Sequence, residues 1–492
     1  MIGAIVGGTF LFGLFFGWIT VPLTLFAGFV LVMIRPRGTL IACLLVAATV
    51  VGALRQPDRA DIALRQIEPL NGAVVTVTSG VVSDGRMQRF RIRTDSDDII
   101  CAKTFARTVV GRGDRLSVDM QPDAVDSLPI GFRSYLISQG CAASGTVDRL
   151  SILHRGSGPR RWLDHVRAEA SRQLSTWLPG DRGALLAGLV IGDDAQLSDP
   201  AANDFIRTGT YHIVAISGSN LSMLASLLVV FTVWAGRRWR EVLPLVAIWA
   251  YVLVGGSGPP TIRAGMLTTM AAGGRLLGRR ADLLMLSIQV AALQALIWPE
   301  TTAGLSYRLS TAAIVTVLLV APLAMPRTWP GRIGAVLITS LAVNIALTPL
   351  LPEQSRPAIV IAVLANLLIA VPVACAFVLG LFCLATGLVS PTLAEAIAGI
   401  AGQFTEMSLW IVRVLARQSI LPEWTLGPVG RLPHASQWAL AVIVVGTASP
   451  LIRRGFGDMH RRVGEQRELA EPLITGTAMG AVVGVLTLIV IR

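Results

Sequence analysis

Lysine is almost missing from this 492-residue chain: among 42 basic side chains, Lys103 is the single one. Charge of either sign is scarce too, at 15% of residues against 53% hydrophobic, with a mean hydropathy of +0.65. That balance excludes a soluble globular protein of this length and points to many membrane spans. Histidine is rare and scattered. His154, His165, His212, His434 and His460 show no metal-ligand spacing, which leaves a zinc or two-metal hydrolase without support. A Walker-type phosphate loop is missing, so the chain carries no ATP motor of its own. So is a Gly-x-Ser-x-Gly elbow; Ser217 and Ser219 have no evident base with a partner, and serine catalysis is not expected. No cofactor, no metal and no enzymatic activity are expected. The amino terminus is apolar from Ile2 but lacks a basic n-region and a small-residue cleavage site, so it reads as a retained membrane segment.

What is present is arginine, and a net charge of +12. Two readings fit: the positive-inside bias of cytoplasmic loops, or an anionic substrate such as nucleic acid. Residues 1–54 hold three short apolar spans, near 2–17, 18–34 and 39–54, with Arg35 and Arg37 at the second turn. Placing those arginines in the cytoplasm puts the residues after Arg55 outside. Residues 55–155 then change to the composition of a soluble domain. Period-two alternation near 73–82, 86–93, 97–105, 114–120 and 143–149, punctuated by glycines, predicts five short strands and a small barrel. Within it, Arg89, Arg91 and Arg93 fall on one face and Phe90 and Ile92 on the other. That basic face is either a solvated surface or a phosphate-binding strip. Cys101 and Cys141 are the domain's only cysteines, and outside the cell they are expected to be bridged. Cys43, Cys375 and Cys383 read as small apolar residues in spans.

Residues 156–182 contain an amphipathic helix (160–178) that fits the membrane interface, with Trp162, Leu163, Val166, Ala170, Leu174, Trp177 and Leu178 on its apolar side. Residues 183–192 are apolar but too short to span, which predicts a re-entrant or packed segment. Further spans are expected near 212–235, 242–256, 261–277, 283–298, 304–322, 333–350, 357–372, 374–388, 436–452 and 473–491, with Pro372 separating two of them. A second interfacial helix is expected over 391–418, its apolar stripe being Ile397, Ile400, Phe404, Met407, Ile411 and Val414. The expected fold is thus a polytopic α-helical membrane protein of about 12–13 spans, with an inserted extracytoplasmic OB-like β-barrel and interfacial amphipathic helices. Residues 183–452 form its transmembrane domain; 453–492 add a basic cytoplasmic loop and a final helix.

The densest polar signal is Gly209–Asn220 (GTYHIVAISGSN), at the mouth of a span. His212, Ser217, Gly218 and Asn220 are costly beside lipid, so they face a bundle interior or a cavity. They either pack, with His212 satisfied by a carbonyl, or shape a substrate path. Arg263 begins a span after the broken turn GGSGPP, and either snorkels outward or lines an anion path. Asn366 lies within an apolar run, where an interhelical hydrogen bond is the commoner role.

These stretches together resemble the ComEC-type competence protein family. Gly192-Asp193 followed by Gly209, His212, Ala215, Ser217 and Gly218 is similar to its signature. So are Arg263-Ala264-Gly265-Met266 closed by Arg279-Arg280-Ala281-Asp282, and Thr348-Pro349 with Ala365-Asn366-Leu367 and Pro372. GFRSYLISQG, from Gly131 to Gly140, resembles the segment closing the family's extracytoplasmic OB-like domain. The resemblance implies an inner-membrane channel, multi-pass in the plasma membrane, for single-stranded DNA in natural transformation. It further implies a DNA-delivery protein outside, a separate nuclease and a cytoplasmic DNA motor. DNA contacts are implied at Arg89, Arg91 and Arg93, and a path past His212, Ser217, Gly218, Asn220, Arg263 and Asn366. Two departures stand out: the metallo-β-lactamase-like domain of many members is not seen, and Asn220 stands where many carry histidine. A secondary transporter of a small anionic solute is the rival reading; it accounts for the broken helices but not for the soluble barrel.

Overall fold

The computed structural model describes residues 64 and 67–417, apart from 84–86, 107, 124–126, 129–131, 134, 137–138, 194, 215–217, 233–235, 256–257, 277–282, 299–300, 303, 322–327 and 352–357, and also residues 444 and 445. The expected spans at 2–17, 18–34, 39–54 and 473–491, nearly all of 436–452, and Ser217 of the motif lie outside the described residues. Two compact units emerge, with boundaries after Pro57, Thr268, Leu367 and Ser419.

One unit is residues 58–268 with 368–419. It opens on strands β1 (Leu70–Val77), β2 (Val82–Ser83), β3 (Gln88–Arg93), β4 (Ile99–Thr104), β5 (Arg115–Pro122) and β6 (Ala143–His154). They run in the order β1-β5-β6-β4-β3-β2, and a further β1–β3 pairing closes five of them into a barrel. All pairings are antiparallel except β4 with β6. That closed five-stranded arrangement fits the OB-like expectation. Alternation drives it: Val75, Val77, Phe90, Ile92, Ile100, Ala102, Leu116, Val118, Met120 and Val147 fill the interior. Asp97, at φ 66, makes the tight β3–β4 turn, a conformation that aspartate tolerates better than most residues. Cys101 and Cys141 are joined in a disulfide across 40 residues, as expected.

The helices of this unit are α1 (Pro159–Trp177), α2 (Asp181–Ile191), α3 (Asp199–Arg207), α4 (Gly218–Phe231) and α5 (Arg237–Val254). The start of α6 (Pro259–Leu276), the end of α10 (Ile359–Gly387) and α11 (Pro391–Ala416) complete it. The short apolar segment at 183–192 is the centre of the packing: every residue of α2 from Gly183 to Ile191 is buried. α1 and α11 pack on it, and α3 packs on α11. Gly192 ends α2 in the left-handed conformation, φ 73.

One expectation needs correction. α10 is one continuous helix across Pro372, not two spans. A proline deletes one helical N–H bond, and membrane helices accommodate that loss within packed surroundings. At 29 residues α10 is about 43 Å long, enough to cross a bilayer when tilted. In α11, Ala394, Ala398, Ala401, Gly402, Thr405, Ser408 and Val412 face the core together with Ile411 of the apolar stripe, and Ile397 and Phe404 pack against it, while Ile400, Met407 and Trp410 are exposed. Small residues let helices approach closely, and a Cβ on Gly402 would stand 2.7 Å from Leu178. α1 buries Ser171 and, from its apolar side, Leu174, while Trp162 is 64% exposed.

The second unit contains α7 (Leu283–Ile297), α8 (Leu305–Val320) and α9 (Trp329–Leu347). α8 packs on α7 and α9. Tyr307 is buried, and its hydroxyl donates to the Ala291 carbonyl at 2.8 Å. Among the described residues, two helices are long and apolar enough to cross a membrane, Pro330–Leu350 and Ile359–Gly387; three shorter apolar helices accompany them.

Candidate nucleic-acid interface

The outer face of β3 and β4 is built by strand parity. With Phe90, Ile92, Ile100 and Ala102 inside, Arg89, Arg91 and Arg93 must point out, and so must Cys101 and Lys103. Register places Arg89 opposite Lys103 and Arg91 opposite Cys101. Like charges directly opposite each other destabilise a sheet. Neither Arg89 nor Lys103 has an ion-pair partner among the described residues. Arg93 is different: Asp97 neutralises it at 2.9 Å.

This face forms one wall of a cleft of about 640 Å³. Helix α1 supplies the opposite wall through Asp164, Arg167, Ser171 and Arg172, and the α2–α3 loop supplies Asp193 and Gln196. Arg89, Arg91, Lys103 and Arg112 line the barrel side; Arg93 does not reach it. Phe132 and Tyr135 stack on each other at the rim, with centroids 5.9 Å apart and 22° between planes. Both rings are largely open to solvent, at 40% and 53% exposure. The disulfide positions this pair, because it ties Cys141, just beyond the aromatic segment, to β4. In addition Arg91 Nη1 donates to the Gln139 carbonyl at 2.7 Å.

The acids of the cleft are engaged. Asp164 pairs with Arg112 at 2.9 Å, Asp193 accepts from Ser171 Oγ at 2.6 Å, and Asp123 accepts from Ser144 Oγ at 2.5 Å. Arg167 Nη2 donates to the Gly192 carbonyl at 2.6 Å, and Arg172 pairs with Glu169. Burial and then the Arg112 guanidinium push the Arg91 pKa down, with Tyr135 acting the other way. A cation held at such electrostatic cost is relieved by an anion.

A buried carboxylate joins barrel to helix. Asp114 receives Gly111 N–H at 2.9 Å and Gly156 N–H at 2.8 Å, with Arg161 of α1 against it and Arg155 at 3.6 Å. Burial alone would raise its pKa; the Gly156 N–H, the Arg161 guanidinium and the Gly111 N–H outweigh that and hold it below the usual carboxylate range.

The motif residues sit elsewhere in the same unit. His212 lies in a 3-10 turn (Tyr211–Ile213) and its Nδ1–H donates to the Gly209 carbonyl at 3.1 Å. Asn220 is buried, and its amide donates to the Leu189 carbonyl of α2 at 2.9 Å. Gly218 is exposed at the start of α4, and a Cβ there would stand 3.8 Å from Ala264. Gly188 of α2 presses on the motif itself: a Cβ would come within 2.6 Å of the Val214 carbonyl. Arg263 is buried, at 2% exposure. Asn366 is half-buried in α10, in the other unit. Among the described residues, no three His, Cys, Asp or Glu side chains could hold a metal ion together.

Sequence reasoning reached Arg89 and Arg91 but missed Lys103, Arg112, Arg167 and Arg172. Lys103 was within reach by parity from Cys101; the others come from a loop and a helix that only the folded chain brings to the barrel.

The family model described as Competence protein matches residues 189–454, more than half of the chain. The chain belongs to the competence protein family. The match begins in α2 and includes the Gly192-Asp193 loop at the cleft, the His212 motif and Arg263. Among curated relatives, ComE operon protein 3 of Bacillus subtilis (strain 168) is 27% identical over 101 residues. That alignment covers 20% of this competence-family chain and 13% of the relative's length. No solved structure matches.

Proposed function

We propose that this competence-family protein is a multi-pass plasma-membrane channel that receives single-stranded DNA outside and passes it to the cytoplasm. What carries the reading is the cleft: Arg89 and Lys103 face each other without an acid between them, on the β3–β4 face, beside two stacked, exposed aromatic rings. OB-type barrels grip single strands with that combination, a basic groove for phosphates and aromatic faces for bases. Stacking on aromatic faces and phosphate contacts are sequence-tolerant. The protein acts here as a conduit, not an enzyme. A delivery protein outside, a separate nuclease for the other strand and a cytoplasmic motor complete the pathway in this reading.

Beyond the cleft, the path runs by the Gly209–Asn220 motif and Arg263. An arginine buried among apolar helices is expensive, and such residues commonly serve a substrate path. Its neighbour Ala264 lies against Gly218, next to the motif.

Binding of labelled oligothymidylates to the full chain in zwitterionic nanodiscs tests the reading. Affinity is expected to rise with length and to favour single strands over duplex. Length-independent competition by inorganic phosphate would instead assign the protein to small anions.

A further inference from the structure

We infer that Phe105 is a second stacking post for the same single strand, two residues beyond Lys103 and just past the end of β4. The inference rests on the proposed binding reading and extends its footprint. On β4 the inward residues are Ile100, Ala102 and Thr104, so Cys101 and Lys103 share the outer face; Phe105 follows directly after the strand ends and is exposed beyond the residues that line the cleft. Phe105 is 64% exposed, a large aromatic left open at the end of the cationic row. Two residues along a strand advance about 6.8 Å, so the order along the face is Arg91 beside Cys101, then Arg89 beside Lys103, and the chain leaves the strand at Thr104 directly into Phe105. The Phe132–Tyr135 pair stands at the Arg91 end, because Gln139 binds Arg91 and Cys141 binds Cys101. Aromatic, cation, cation, aromatic is the order that a strand alternating bases with phosphates would engage.

Phe105 is also held ready. Gln88, buried inside the barrel, donates from Nε2 to the Ala106 and Thr108 carbonyls, both at 2.9 Å. Its Oε1 accepts from Val110 N–H at 3.2 Å. One interior side chain thus fixes the backbone that follows Phe105. A ring presented on a fixed backbone loses little freedom when a base stacks on it.

The test uses the full chain in zwitterionic nanodiscs and oligothymidylates of about 2 to about 16 nucleotides, spanning the site sizes of OB folds. Phe105→Ala is expected to leave the shortest oligomers near wild-type affinity and weaken the longest about fivefold or more, as loss of one base stack does. Phe105→Trp should restore it, and the salt dependence should stay unchanged because no charge is removed. If Phe105→Ala matches wild type at every length while Arg89→Ala/Lys103→Ala weakens binding, Phe105 lies off the track and the inference fails alone. Equal weakening at every length would also overturn it, as a local distortion of the barrel. If neither variant alters binding, the cleft reading falls with it.

Discussion

Removing the facing cations Arg89 and Lys103 should move binding and stability in opposite directions. Among the described residues, four cleft cations have no paired carboxylate: Arg89, Arg91, Lys103 and Arg167, the second and fourth bonded to carbonyls. Neutralising about four phosphates of a single strand gives a slope of log affinity against log salt of about −2.8. Between 50 and 200 mM salt the wild type should therefore lose affinity about fifty-fold. In Arg89→Ala/Lys103→Ala the slope should fall to about −1.4 and the loss to about sevenfold. Meanwhile the barrel should become more stable by about 0.2–1 kcal/mol, since a like-charge cross-strand pair is gone. Fluorescence anisotropy of a labelled oligothymidylate over a salt series reads the first effect. Native-state hydrogen exchange at β3 and β4 amides reads the second. An unchanged slope in the double variant would refute the argument that these two cations meet phosphates.

Asp114→Asn should loosen the joint between barrel and α1 by about 3–5 kcal/mol, because Arg161 loses its buried partner, read as faster amide exchange around Gly111 and Gly156. Its depressed folded pKa means that the carboxylate stabilises at neutral pH; this contribution should be lost as pH falls below about 3.8 and through the folded value, visible in an acid titration that Asp114→Asn flattens. Reducing Cys101–Cys141 should destabilise the barrel by about 4 kcal/mol in a thermal melt, from loop-closure entropy over 40 residues, and weaken oligonucleotide binding as the aromatic pair loosens. Gly188→Ala should cost about 1–3 kcal/mol, since its methyl meets the rigid Val214 carbonyl, and should shift the His212 turn, detectable by proteolysis at that turn.

The barrel was legible because its strands alternate cleanly: the inward Phe90 and Ile92 fix the outward Arg89 and Arg91 from sequence alone. The disulfide followed from two cysteines in one soluble domain. What sequence could not supply was the second wall of the cleft, since Arg167 and Arg172 on α1 read only as the polar side of an amphipathic helix. Arg93 looked equivalent to its neighbours until the turn at Asp97 brought a carboxylate back onto it. In α11 the sequence showed the apolar stripe but not the close helix packing through Ala394, Ala398 and Gly402, which lies beside the buried Ile411. Pro372 misled because a proline in a packed apolar helix need not end it.

The most direct measurement follows labelled DNA supplied to a naturally transformable cell that lacks this gene. With the intact gene restored, label should pass from outside the inner membrane to the cytosol. Arg263→Ala at equal protein level should leave it outside. Unimpeded passage of label in the deletion strain would contradict the account.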